Sequence, residues 1–399
     1  MNKNHAGLLA FATSIVLLGG CATVTPIGSG ATYDPDEREQ RLWETTQAEA
    51  RALINSGILY RDQSVQAYCQ LILERILGEG LSSYEPLRPR VYVVDAPSTN
   101  AFALPHGEIF IHTGMLGRIR NEAQLAMLLG HEITHATHRH TDQRLDDAYV
   151  RMGGLGYVSV LSAAGGANVY NIISGVSLII TQAAMAGYGR DQEREADAIG
   201  LALMAQAEYD PSEGARMFQQ MLDATDSKDR RRHSLYSSHP KMKDRVKSCK
   251  KAAKQMSQDV LDHAAATGQD SYVSICRQLI YGEAERHIAQ GKYGLAKETL
   301  GFMKQARPRD SRPYTLLGDL FRARSEDGDL EMSVESYQEA ALVDARDARA
   351  YRGLGICRAR KGDNEQAIRD FRTYLQLAPS SPDADYFRGF INQLTGARK

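Results

Sequence analysis

The sequence predicts a mostly α chain with one small β-sheet, continued C-terminally into an α-solenoid. Three observations carry that reading. Apolar residues recur at helical spacing through 36–77 and again through 241–262. Between them lie three short runs rich in β-branched and aromatic residues, at 91–94, 101–104 and 109–112, separated by turn residues. From about residue 273 a two-helix repeat pattern recurs three times.

The elements follow in order. Lys3 and His5 precede the apolar stretch 8–18, which is too short to span a bilayer and ends in small residues, the pattern of a secretory signal. Leu18-Gly19-Gly20-Cys21 resembles a bacterial lipobox. That resemblance implies a lipoprotein signal peptide at 1–20 and Cys21 as the lipidated first residue. It also implies a periplasmic protein anchored at the outer membrane, because residue 22 is Ala rather than Asp. A secreted protein with an incidental Cys21 is the plainer alternative. The Gly/Thr/Pro/Ser-rich residues that follow read as a flexible tether over 21–34.

A first folded region is expected over 35–265, with helices to residue 77 and then the three strands. An edge strand there would let an extended peptide pair through its backbone with little sequence preference. Residues 152–186 are apolar and rich in Gly and Ala, but 165–168 and Asn171 interrupt them, so they read as a helical hairpin rather than a membrane span. Beyond the charged helical segment 241–262, the clearest repeat copy has Tyr351, Leu354, Gly355, Ala367, Phe371 and Pro379 at tetratricopeptide spacing. A second copy has Tyr314, Leu317, Gly318 and Phe321, then continues three residues late with Ser333, Tyr337 and Ala340. A weaker first copy has Ala284, Ala296, Leu300 and Pro308. Three repeats and a closing helix near 383–395 make a small solenoid over 273–395, whose concave face would bind a protein partner or present substrate.

A chain of 399 residues can bury two cores, and a formal net charge of −1 offers no global attraction to nucleic acid. Besides Cys21 there are Cys69, Cys249, Cys276 and Cys357. Export to an oxidising compartment permits pairing, and sequence cannot choose among the connectivities. Cys249 with Cys276, flanking the junction of the two regions, is the first expectation, and free buried thiols are the other.

The chemistry sits at His131-Glu132-Ile133-Thr134-His135, behind the apolar run 123–129. On a helix, residues four apart share a face, so both imidazoles can reach one ion with Glu132 beside them. A zinc hydrolase needs a third protein ligand. The metzincin solution requires Gly and His where this chain has His138 and Thr141, so it is excluded. The other solution takes a Glu from a later helix. Glu193 fits, and Asp197 one turn on could accept the free N–H of a ligating His. Glu195 points away from that face and reads as a surface or ion-pair residue. A solvated charge run is the bland reading of 193–197, and the presence of HExxH in the same chain argues against it. His112, His138 and His140 have no partner at ligand spacing.

These motifs carry a family resemblance. Residues 100–114, beginning Asn100-Ala101-Phe102, precede HExxH, which is followed by the Glu-x-Glu-Ala-Asp of 193–197 and by His239-Pro240 with Arg245. Together, over 35–395, they resemble the gluzincin metallopeptidases of the CAAX prenyl protease/HtpX family, and among these the periplasmic BepA type that joins the protease to tetratricopeptide repeats. His106 is a departure, since the family more often has Gly there. The resemblance implies a zincin metallopeptidase domain followed by the solenoid, with one Zn2+ per chain on His131, His135 and Glu193. It implies peptide pairing at Asn100, Ala101 and Phe102. It places His239 on a loop over the metal, where it would stabilise the oxyanion or plug the site, and gives Arg245 the task of securing that loop or binding the transition state. Asp197 is described in such families as a proton donor, but its spacing favours the anchor role.

The expected activity is that of a zinc-dependent endopeptidase with Glu132 as general base. It would act on misfolded or misassembled envelope proteins. Its partners would be peptide substrates, outer-membrane assembly proteins met through the repeats, and the membrane met through the lipid anchor. The rival reading is a chaperone or assembly scaffold for outer-membrane proteins, with proteolysis secondary. A metal-dependent hydrolase of a non-peptide substrate is the third.

Overall fold

Asp36 and Asp62 start the first two helices, each carboxylate accepting two backbone N–H groups of the turn it precedes. The computed structural model describes residues 26–27, 33–78, 87, 89–140, 142–143, 188–223 and 242–396. The expectations for Cys21 and the signal peptide, for the 152–186 hairpin and for His239 lie outside the described residues. The helical segment 36–77 divides into α1 (Glu37–Asn55) and α2 (Gln63–Leu77). Gly57, at φ +80°, ends the first, and Leu59 then bridges to Val94. Ile27 lies within the stretch expected as a tether. Its side chain is buried with Trp43 and Leu87, and its N–H donates to the Thr137 carbonyl at 3.0 Å.

Three strands, β1 (Arg90–Val94), β2 (Ala101–Ala103) and β3 (Glu108–His112), lie within a residue of their expected places. They form one sheet in the order β1-β3-β2, with β1 parallel and β2 antiparallel to β3, so β2 is an edge. Phe102 stacks on Phe110, with ring centroids 5.4 Å apart, in a core shared with Ala50, Val94 and Leu104. The tight β2–β3 turn uses Gly107 at φ +97°. His106 in that turn is buried, with Nδ1 3.0 Å from Thr46 Oγ1 and Nε2 3.0 Å from Glu108. The departure from Gly thus ties the turn to α1.

After the single turn α3 (Thr113–Leu116) comes α4 (Glu122–Thr137), in which every residue is buried. A helix apolar nearly all round needs neighbours on every side. At its start Glu122 accepts from the Tyr68 hydroxyl at 2.7 Å and the Tyr209 hydroxyl at 3.2 Å, negative charge at the helix N-terminus being favourable. Helix α5 (Arg190–Gln206) packs directly on α4, and α6 (Ser212–Asp223) and α7 (Met242–Gln255) pack around the pair. Glu213 of α6 accepts from Asn121 and Gln124 at 2.9 and 2.8 Å, fastening the head of α4. The charged segment 241–262 is likewise two helices, because Ser257 caps a separate α8 (Gln258–His263).

The chain divides into two compact units, the first ending at Cys276 and the second beginning at Arg277. The division falls inside α9 (Gln269–Ala289), later than the expected start of the repeats. Tyr272 explains the shift: it is fully buried in the first unit and donates to the Leu116 carbonyl at 2.6 Å. The second unit continues through α10 (Tyr293–Ala306), α11 (Arg312–Arg324), α12 (Asp329–Val343), α13 (Ala348–Arg360), α14 (Asn364–Leu377) and the closing α15 (Ala384–Gly396). Glycine sets its helix contacts. A Cβ on Gly353 would lie 2.3 Å from the Tyr337 ring, and one on Gly355 would lie 2.5 Å from the Phe371 ring. The late second copy has a longer α11–α12 link, with Ser325 and Gly328 both left-handed. The Cys249–Cys276 pairing is not formed: Cys69, Cys249, Cys276 and Cys357 are all buried free thiols. Burial pushes the Cys276 thiol up to about 12, so it is inert. Among the described residues no helix is long and apolar enough to cross a membrane.

Candidate metal centre

His131 and His135 project from the same face of α4, one turn apart, and Glu193 comes from the first turn of α5. The two Nε2 atoms are 3.1 Å apart. Glu193 places Oε2 3.8 Å from His131 Nε2 and Oε1 3.6 Å from His135 Nε2. All three side chains are buried, and so is Glu132.

Asp197, one turn beyond Glu193, places Oδ1 3.1 Å from His131 Nδ1. Arg245 Nη2 lies 3.0 Å from the same Nδ1, and in the tautomer that donates Nδ1–H to Asp197 the Nε2 lone pair is directed at the triangle. Arg245 on α7 grips the same carboxylate with two N–H groups, Nη2 to Oδ1 at 2.6 Å and Nε to Oδ2 at 3.0 Å, while Nη1 reaches Glu193 Oε2 at 3.2 Å. Its guanidinium lies over the Phe218 ring, 3.9 Å from the centroid. Burial works against the Arg245 charge, but the Asp197 and Glu193 carboxylates outweigh it and raise the guanidinium above its ordinary range.

The donor set suits a divalent cation. Four ligands at about 2.0–2.1 Å in tetrahedral array are separated by about 3.3 Å, and the three separations here bracket that value. Among the described residues this is the one cluster of three such donors, with ligand atoms within 4.8 Å of one another. Glu132, Glu193 and Asp197 bring buried carboxylates to the site, a setting that favours a bound cation.

Residues 63–253 match peptidase family M48. This segment is an M48 peptidase domain. The chain is 27% identical over 210 residues to the mitochondrial metalloendopeptidase OMA1 of Schizosaccharomyces pombe, covering 52% of this chain and 59% of that protein. It is 26% identical over 270 residues to the beta-barrel assembly-enhancing protease of Yersinia pestis, covering 65% and 52%. It is 30% identical over 208 residues to OMA1 of Arabidopsis thaliana, covering 51% and 40%. The chain therefore spans about half the length of the curated relatives it matches.

The M48 domain thus brings His131, His135, Glu193, Asp197 and Arg245 together. Asn100, Ala101 and Phe102 lie at and just before the edge strand β2, which packs beside α4. Their side chains are buried and Phe102 belongs to the sheet core. Two neighbours of the M48 site were not singled out from sequence. Tyr188 stacks on His135, with centroids 3.6 Å apart and planes 13° from parallel. His140, set aside for want of a partner, is buried with Nδ1 2.8 Å from His135 Nδ1 and Nε2 3.2 Å from Glu195 Oε2. That hydrogen bond holds the Glu195 carboxyl below its usual range, and Glu195, partly exposed, meets the far nitrogen of His140 rather than the triangle. The return of His140 has a local cause. Arg139 at φ +56° turns the chain back at the end of α4 and returns the His140 ring to His135.

Proposed function

We propose that the chain is a zinc-dependent endopeptidase that hydrolyses peptide bonds in misfolded or misassembled proteins of the bacterial envelope. The observation that carries the reading is the buried His131–His135–Glu193 triangle with the Asp197 carboxylate behind His131. A zinc ion on those three donors would supply Lewis-acid activation of a water molecule and of the scissile carbonyl. Glu132 takes the proton of the attacking water on its carboxylate and returns it to the leaving amine. Asp197 orients His131, and Arg245 holds Asp197 and Glu193 in place. The β2 edge aligns an extended peptide through its backbone, which favours unfolded segments over a defined sequence. On the family resemblance alone, His239 would assist the oxyanion or block the site.

The location proposed is the periplasm, with Cys21 lipidated at the outer membrane. The helical second unit would act as a tetratricopeptide solenoid that binds substrate or assembly partners. The name of the beta-barrel assembly-enhancing relatives favours a second reading, a scaffold for outer-membrane protein assembly with proteolysis secondary.

Glu132→Gln separates the two. The variant keeps its zinc, read by metal analysis, and its cleavage of an unfolded protein falls by about 10²–10⁴-fold. Cleavage at the parent rate would sink the general-base role. Full rescue of an envelope-assembly defect by the same variant would favour the scaffold, and no rescue favours the protease.

A further inference from the structure

We propose that His140 and Glu195 form a relay that fixes which nitrogen of His135 faces the metal, a positioning role that rests on the metal-centre reading above. With a metal ion on the triangle, His131 and His135 both offer Nε2 lone pairs across their 3.1 Å separation, so the His135 proton sits on Nδ1. That Nδ1 lies 2.8 Å from His140 Nδ1. Two imidazole nitrogens at this distance need one N–H and one lone pair, so His140 Nδ1 accepts and its own proton sits on Nε2. His140 Nε2 lies 3.2 Å from Glu195 Oε2, and an ionised carboxylate only accepts.

The polarity of the chain is therefore set from its outer end. Glu195 selects the Nε2–H tautomer of His140. His140 then has a lone pair for the Nδ1–H of His135, and the His135 Nε2 lone pair is left pointing into the triangle. His131 has the direct form of the same device, with the Asp197 carboxylate on its Nδ1. On the Nδ1 side of His135, Glu195 is reached through the far nitrogen of His140. The rings of His135 and His140 meet at 68° with centroids 4.9 Å apart, and His140 is buried, so water does not compete for the link. Glu195 is partly exposed, which lets it keep its charge at the outer end.

The test uses the full chain, zinc as the probe and two readouts. Zinc affinity is measured by competition with a chromophoric chelator. His140→Leu removes the acceptor and is expected to weaken zinc binding by about 10–100-fold. His140→Asn places an amide oxygen where Nδ1 stood and is expected to recover most of that loss. The second readout is the ring-nitrogen tautomer pattern in long-range proton–nitrogen spectra of the zinc-loaded protein. The relay requires His140 as Nε2–H, with a bare Nδ1 beside the Nδ1–H of His135. The idea is overturned if zinc-loaded His140 is Nδ1–H or a mixture in the parent. It is equally overturned if His140→Leu binds zinc as tightly as a zinc-binding parent, or if His140→Asn is as weak as His140→Leu. A parent that binds no zinc overturns the metal-centre reading itself, a separate result. Should His140→Leu fail to fold, the parent spectra decide.

Discussion

The distance between α4 and α5 sets the metal triangle, and Gly200→Ala tests that directly. Both helices are glycine at their crossing. A Cβ on Gly200 would stand 2.9 Å from His131 N, 3.2 Å from the Gly130 carbonyl carbon and 3.4 Å from His131 Cα. Ordinary carbon contacts lie at about 3.5–4.0 Å, so the helices must part by roughly half an ångström. Every obstructing atom is backbone, so no side chain can rotate away. Glu193 lies seven residues before Gly200 on α5, on the same face, and moves with it. A metal site tolerates ligand displacements of only about 0.2 Å.

Two effects on stability oppose each other. Alanine removes a helix penalty of about 1 kcal/mol, while overpacking costs about 1–3 kcal/mol. The net expected loss is about 0–2 kcal/mol, with a zinc affinity lower by about tenfold or more. Chelator competition and urea unfolding, with and without zinc, read the two effects separately. Gly301→Ala on α10, whose Cβ meets nothing within 4 Å, is the control and is expected to stabilise by about 0.4–1 kcal/mol. A Gly200→Ala protein that binds zinc like the parent and unfolds later would refute the tight crossing.

Arg245→Met should destabilise the metal-free protein by about 3–5 kcal/mol in urea unfolding, because Asp197 and Glu193 lose their buried cation. Added zinc should recover part of that loss. Gly353→Ala should lower the unfolding midpoint by the equivalent of about 1–3 kcal/mol, since the Tyr337 ring it meets is fully buried. Burial lowers His112 from its ordinary 6.5 to about 4. A base with a depressed folded pKa binds its proton more readily when unfolded, so its contribution is intact above pH 6.5 and is lost as pH falls from there to about 4. His112 is partly exposed, so the loss is about 1–3 kcal/mol. His112→Asn should flatten the fall in urea midpoint between pH 7 and pH 5 relative to the parent, and parallel profiles would argue against it.

Some of this was legible in the sequence because it depends on local periodicity. A helix fixes the angle between positions four apart, so HExxH alone placed His131 and His135 on one face, and the spacing of Glu193 and Asp197 put both on another. The strands at 90–94, 101–103 and 108–112 were legible from their residue types, and the helical hairpins beyond residue 273 from their repeat. Breaks such as Ser56-Gly57 and Ser257 leave little trace in the sequence, because one capping residue barely alters a hydrophobic pattern.

The rest required the chain to be folded. Ile27 leaves a polar stretch because a hydrophobic niche beside Trp43 exists only once α1 is in place. His140 carries no spacing signal: it reaches His135 because one left-handed residue reverses the chain there. Gly130 and Gly200 are 70 positions apart and matter only because two helices cross at that point. The sequence by itself determined which donors could bind a metal, since donor chemistry and helical phase are properties of single segments. Tertiary structure alone decided their distances and proton positions, because those depend on backbones and side chains from distant segments meeting in a packed, water-poor interior.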